Sequence, residues 1–146
     1  MTTGALIFAY NNEEVDYVAM AAWSAANIQR HLGIPVAVVT NDPAAEQYRV
    51  FDKIIFADSK ADNHRYFHDY KKDVTWYNGN RMDAYNLTPW DQTLVLDADY
   101  VVASNRLQSV LDNKQNFLAH RFAFDVTGVF NFDEHNYFGN YLMPMW

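Results

Sequence analysis

The stretch Thr93-Leu94-Val95-Leu96-Asp97-Ala98-Asp99-Tyr100-Val101-Val102 decides how the rest of the chain is read. An aliphatic run enters two aspartates, and aliphatics resume at once. Thr93 to Leu96 has the length and composition of a buried strand, central in a parallel sheet with both faces covered. Charged residues do not sit in the middle of such a strand without a task. They fit at its carboxyl end, where open α/β sheets bind ligands. With one residue between them, the two carboxylates are placed to share a hard cation, or to divide a cation and a ligand hydroxyl. Mg²⁺ commonly takes one or two protein carboxylates plus substrate phosphate oxygens, and Mn²⁺ also suits oxygen ligands.

Working outward from that stretch, the same alternation of short aliphatic runs and helical patterns recurs. Ala5 to Tyr10 reads as a first strand. Asn11-Asn12-Glu13-Glu14 follows, an amide serving as N-cap and two acids favouring the first turn of a helix. Val18, Ala21, Ala22, Ala25, Ile28 and Leu32 recur at helical spacing, Gly33 ends the helix, and Pro35 to Thr40 reads as a second buried strand. Strand, helix and strand over about 35 residues form a βαβ unit. Asn41-Asp42-Pro43 is a turn, and Lys53 to Ala57 a third strand. From Asp58 to Asn80 the chain is polar and aromatic with poor periodicity, the character of a functional loop. A helix is expected from Arg81 to Leu87 before Pro89. After the aspartates, Leu107, Val110 and Leu111 predict a short helix, and Asn116 to Phe124 a further strand that Val126 to Phe130 continues or pairs with. The fold expected is α/β, a mostly parallel sheet flanked by helices.

With 146 residues, the chain is expected to form a single domain over 1–146. Half of the residues are hydrophobic, enough for a real core, and no run of about 18 apolar residues predicts a membrane span. The amino terminus lacks a signal-peptide pattern, and zero cysteines exclude disulfides, thiolate metal sites and thiol nucleophiles; a cytoplasmic setting is the expectation. A net charge of −7 disfavours broad nucleic-acid binding. The end of the chain, from Asn131 to Trp146, is rich in aromatics and offers no clear terminating helix. It reads as interrupted, which predicts a missing carboxyl-terminal half, or a homo-oligomeric or other partner that covers the aromatic tail.

Other chemistries lack their motifs. There is no Gly-x-Gly-x-x-Gly, no P-loop, no Gly-x-Ser-x-Gly and no His-Glu-x-x-His. His64 and His68 share a helical spacing that arises often by chance.

The stretch Arg81-Met82-Asp83-Ala84-Tyr85-Asn86-Leu87-Thr88-Pro89-Trp90-Asp91-Gln92-Thr93-Leu94-Val95-Leu96-Asp97-Ala98-Asp99 resembles the central signature of nucleotide-sugar glycosyltransferases of the GT-A fold, of the glycogenin and lipopolysaccharide galactosyltransferase type or a small bacteriophage-encoded type. That signature has a basic residue opening a helix, a break at proline, a strand, then Asp-x-Asp. The resemblance implies a GT-A-like, Rossmann-like sheet and transfer of a sugar from a nucleotide-diphospho-sugar donor to an acceptor that the sequence does not identify. It further implies that Asp97 and Asp99 hold Mn²⁺ or Mg²⁺ against the donor diphosphate, with Asp97 also in reach of the ribose. Arg81 matches the residue that approaches the diphosphate or donor sugar. Tyr10, Asn11 and Asn12 fall where such enzymes contact base and ribose, and Thr40 and Asn41 are further candidates for the nucleoside pocket. No catalytic base or third metal ligand is assigned: His120 and His135 sit in no ligand motif. Asp125, Asp133 and Glu134 are candidate acceptor-side acids.

Each of these residues also has a plain structural reading. Asp-x-Asp occurs in surface turns, Arg81 fits a helix start, Tyr10 fits a cap on the core, and Asn11 and Asn12 fit helix caps. Competing functions follow: a non-catalytic nucleotide-binding module, a purely structural partner domain, or an aspartate-based phosphotransferase. The last normally carries its pair after the first strand, unlike this chain.

Overall fold

The computed structural model describes residues 1–12, 15–59, 79–113 and 115–118, and the backbone of two strands, 63–67 and 72–76. Contacts divide the chain into two compact units, Met1–Asp112 and Asn113–Trp146. In the second unit, the Gln115 N–H donates to Asn113 Oδ1 at 3.2 Å. Expectations resting on side chains of residues 60–78, and on residues 119–146, lie outside the described residues. They include His64, His68, His120, His135, Asp125, Asp133, Glu134 and the aromatic end.

The first unit is α/β. Its elements are β1 (Thr3–Phe8), α1 (Tyr17–Leu32), β2 (Val36–Thr40), β3 (Lys53–Phe56), β4 (Asn63–Phe67), β5 (Lys72–Trp76), α2 (Ala84–Leu87), β6 (Gln92–Asp97) and α3 (Gln108–Leu111). Short 3₁₀ turns cover Pro43–Gln47, Gly79–Asp83 and Asn105–Leu107. Four strands form one parallel sheet in the order β3-β2-β1-β6. Two apolar clusters cover its faces. On one face Ala5, Ile7, Val36, Val38 and Leu96 pack with Val18, Ala21, Ala25 and Ile28 of α1. On the other, Leu6, Phe8, Tyr10, Ala37 and Val39 pack with Val95, Trp90, Ala84 and Leu87. The period-2 alternation of side chains along a strand produces this split.

The aspartate strand has both faces covered, with Leu94 and Leu96 against the α1 cluster and Val95 against the other. It is not central: among the described strands β6 lies at the sheet edge, and β1 and β2 are interior. An aliphatic run records burial by the layers above and below, and it carries no mark of how many strands flank it.

α1 starts later than the sequence suggests. Asp16 is its N-cap, its carboxylate accepting from the Ala19 N–H at 2.9 Å. Asn11 contributes from a distance, its Oδ1 accepting from the Val18 N–H at 2.9 Å, while Asn12 Oδ1 accepts from the Val15 N–H at 2.8 Å. Two loop amides thus take N–H groups that would otherwise lack partners. At the other end Gly33 has a positive φ of 66°, and its N–H bonds the Gln29 carbonyl at 3.0 Å. The helix expected over Arg81 to Leu87 is instead a 3₁₀ turn followed by one α-helical turn. The stretch expected as a loop from Asp58 to Asn80 contains an antiparallel pair, β4 with β5. Residues 116–118 form no strand. Among the described residues no helix is long and apolar enough to cross a membrane.

Candidate functional site at the carboxyl edge of the sheet

Because β1, β2, β3 and β6 run parallel, their carboxyl ends share one edge. Phe8 stands level with Val39 on one side and with Asp97 on the other. The strand order moves outward from β1 to β3, then returns to the far side of β1 for β6. The reversal therefore falls between β1 and β6, and open α/β sheets bind ligands outside the carboxyl ends at such a point. Tyr10, Asn11 and Asn12 follow β1 there, and Asp97 and Asp99 end β6.

Arg81 reaches this edge from the Gly79–Asp83 turn, and its guanidinium Nη2 lies 2.5 Å from Asp97 Oδ1. Asn80 positions the turn: it is 2% exposed, and its Nδ2 donates to the Asp58 carbonyl at 2.8 Å, tying the turn to the end of β3. The Arg81 side chain is 25% exposed and that of Asp97 47%, so the pair is open to solvent on one side. Burial pushes the Asp97 carboxyl above its ordinary value; Arg81 opposes the rise and Asp99 adds to it. Asp99 is exposed in the turn that follows, where the Tyr100 N–H donates to the Asp97 carbonyl at 3.0 Å.

The remaining expected contacts divide. Tyr10 is 5% exposed and enclosed in the α2-side cluster, so its ring does not present the open face that base stacking needs. Its hydroxyl is buried with no hydrogen-bond partner among the described residues. Burial, with Asp58 and Asp83 adding, pushes that phenol up to about 12. Asn11 is committed on both sides of its amide: beside the Val18 bond, its Nδ2 donates to Asp42 Oδ2 at 2.8 Å. Thr40 is fully buried, its hydroxyl accepting from the Asp42 N–H at 3.1 Å. Asn41 and Asn12 are exposed at the edge. The structure thus joins Arg81 to Asp97, and it uses Asn11 and Thr40 to hold the loops after β1 and β2 together.

Four residues of this edge were not singled out from the sequence: Asp42, Asp58, Asn80 and Asp83. Asp42 and Asp58 each follow a strand, and that position was the available signal. Asn80 and Asp83 carried none, because their placement depends on how the turn docks on the sheet.

Asp97 and Asp99 are the side chains at this edge that could offer oxygen ligands to a hard divalent cation. Two carboxylates lie within one turn, and the Arg81 guanidinium already pairs with one of them. Among the described residues no three His, Cys, Asp or Glu side chains cluster. Asp97 and Asp99 would therefore leave most of a six-ligand shell to water and ligand oxygens, as Mg²⁺ sites often do. No family model, curated protein or solved structure matches the chain. Fold and site together define an α/β protein with an open parallel sheet and a charged Asp-Asp-Arg group beside its point of strand reversal.

Proposed function

We propose that this chain is a metal-dependent glycosyltransferase of the GT-A type, binding a nucleotide-diphospho-sugar at the carboxyl edge of β1 and β6. The observation that carries the reading is Asp97, ending β6 beside the strand reversal with Arg81 on its carboxylate. Asp97 and Asp99 would hold Mn²⁺ or Mg²⁺. When bound, such a cation neutralises charge on a departing nucleoside diphosphate as a Lewis acid. Arg81 offers a planar fork of N–H donors to phosphate oxygens. Asn41, exposed on the loop after β2, would offer a polar contact to ribose or base.

Thermal unfolding with nucleoside diphosphates and sugar nucleotides, with Mn²⁺, Mg²⁺ or EDTA, tests this. A ligand that binds only the folded state stabilises it by about 2.7 kcal/mol at a hundredfold excess over its Kd. The expected result is a metal-dependent rise in Tm for one nucleotide, absent in Asp97→Ala and Asp99→Ala. A folded chain that shifts with no nucleotide under any metal condition would sink the proposal. Release of nucleoside diphosphate from the donor separates transfer from binding alone.

A further inference from the structure

The Arg81–Asp97 pair joins the two groups that the donor reading assigns to different partners. On that reading, Asp97 belongs to the cation and Arg81 to the diphosphate. In this structure they hold each other, Nη2 to Oδ1 at 2.5 Å, with the turn that carries Arg81 anchored by the buried Asn80. Guanidinium and metal ion are two positive charges competing for one carboxylate. We infer that Arg81 is a built-in counter-ion for Asp97, displaced when a divalent cation takes the carboxylate and thereby released toward the anionic part of the donor. This inference rests on the donor reading and deepens it, because it specifies how cation and nucleotide binding are linked.

Three features support an exchange over a fixed structural bridge. Asp97 sits at a strand end with its side chain 47% exposed, so an incoming ion has access. Arg81 lies on a short 3₁₀ turn, where a change of side-chain rotamer leaves the sheet undisturbed. The Asp99 carboxylate, close enough to act on Asp97, favours retention of positive charge at this edge whichever cation occupies it, guanidinium or metal. An arginine in contact with the first aspartate gives that half-exposed carboxylate a counter-charge while the site is empty. When the metal binds, it displaces the guanidinium. When the diphosphate binds, it meets an arginine that no longer has a carboxylate partner. Cation and nucleotide therefore bind with positive coupling, and linkage makes the coupling reciprocal.

The consequence is a pair of effects of opposite sign from one substitution. Mn²⁺ binding, read by isothermal titration and by the loss of the free Mn²⁺ spin-resonance signal, is compared in the native chain, Arg81→Gln and Arg81→Lys. Each is measured with and without a nucleoside diphosphate. Removing the competitor should let Arg81→Gln bind Mn²⁺ alone about two- to fivefold more tightly than the native chain, the range expected for a solvent-exposed ion pair. The same variant should bind the nucleoside diphosphate in saturating Mn²⁺ about tenfold more weakly or worse, having lost a charged donor. Arg81→Lys, which keeps the positive charge, should stay closer to the native chain in both. Circular dichroism establishes that each variant is folded, and Arg81→Met, which also removes the charge, carries the comparison if Arg81→Gln is not. Bare Mn²⁺ detected in Arg81→Gln and not in the native chain also supports the exchange. Equal or weaker Mn²⁺ binding in Arg81→Gln, or none in either chain without nucleotide, overturns it and leaves the donor reading standing if nucleotide and metal still bind together. A native chain that binds neither Mn²⁺ nor nucleotide in any combination overturns both.

Discussion

At the residue scale, Tyr10 combines two properties that rarely coexist in a stable core: deep burial and a hydroxyl with no partner among the described residues. An unsatisfied buried donor costs free energy, so Tyr10→Phe should raise stability by about 1 kcal/mol. Denaturant midpoints check this, and a clear loss of stability would mean that the hydroxyl is bonded in solution. The pH dependence follows from the direction of its shift. The phenol ionises at about 12 in the folded state against an ordinary 10.0, so folding favours the neutral form. The native chain should therefore hold its stability below pH 10.0 and lose it as pH rises toward about 12. Tyr10→Phe should lack that component of the loss. That Tyr10 lies just past the core of the first strand was legible in the sequence, yet the orientation of its ring was not. Just past the end of β1, Tyr10 joins the cluster that the pleat builds from Leu6 and Phe8.

At the element scale, the entry into β1 depends on a close approach. A Cβ at Gly4 would fall inside the Trp90 indole, whose Nε1–H donates to the Ala5 carbonyl at 3.4 Å. The Lys53 ammonium lies 5.3 Å from the same ring, a cation–π contact that adds to its placement. Gly4→Ala should therefore destabilise the chain by about 1–3 kcal/mol, the usual cost of overpacking. Urea unfolding measures it, and combining Gly4→Ala with Trp90→Leu should recover part of the loss. An unchanged midpoint would show that the indole moves aside at no cost. Nothing local in the sequence announces this pair, because the two residues meet only through the register of β1 with β6, where Gly4 stands opposite Thr93. The helix ends show the converse. Gly33 was legible, since a left-handed cap is a local demand that glycine meets. The cap at the other end was misread because several Asn, Glu and Asp residues competed, and the loop from Asn11 to Asp16 decided among them.

At the scale of the whole molecule, the two described apolar clusters draw only on residues of the first unit. A chain ended at Asp112 should therefore unfold in one cooperative thermal transition with retained helical and strand signal by circular dichroism. A broad, non-cooperative melt would show that residues beyond Asp112 are needed to complete the core. The same architecture explains why charged residues collect at one edge. Parallel strands put every carboxyl end on the same side, and the return of the chain to form β6 beside β1 sets Asp97 next to the loop after the first strand. Burial of both sheet faces leaves that edge as the place where backbone ends and polar side chains meet solvent.

The sequence by itself determined the α/β class, the βαβ opening, the short helix after the aspartates and the location of Asp97 and Asp99 at a strand end. These follow from hydrophobic periodicity and from the cost of placing charge within a buried strand, both of which act over a few neighbouring residues. Only the tertiary structure decided that β6 is an edge strand of the described sheet, that Asn80 anchors the turn bearing Arg81, and that Arg81 closes on Asp97. It also decided that Asn11 and Thr40 serve the loops and that Tyr10 turns inward. Each depends on distant segments meeting across the sheet, and a pairing between residues far apart in the chain leaves no periodic trace in the sequence around either one.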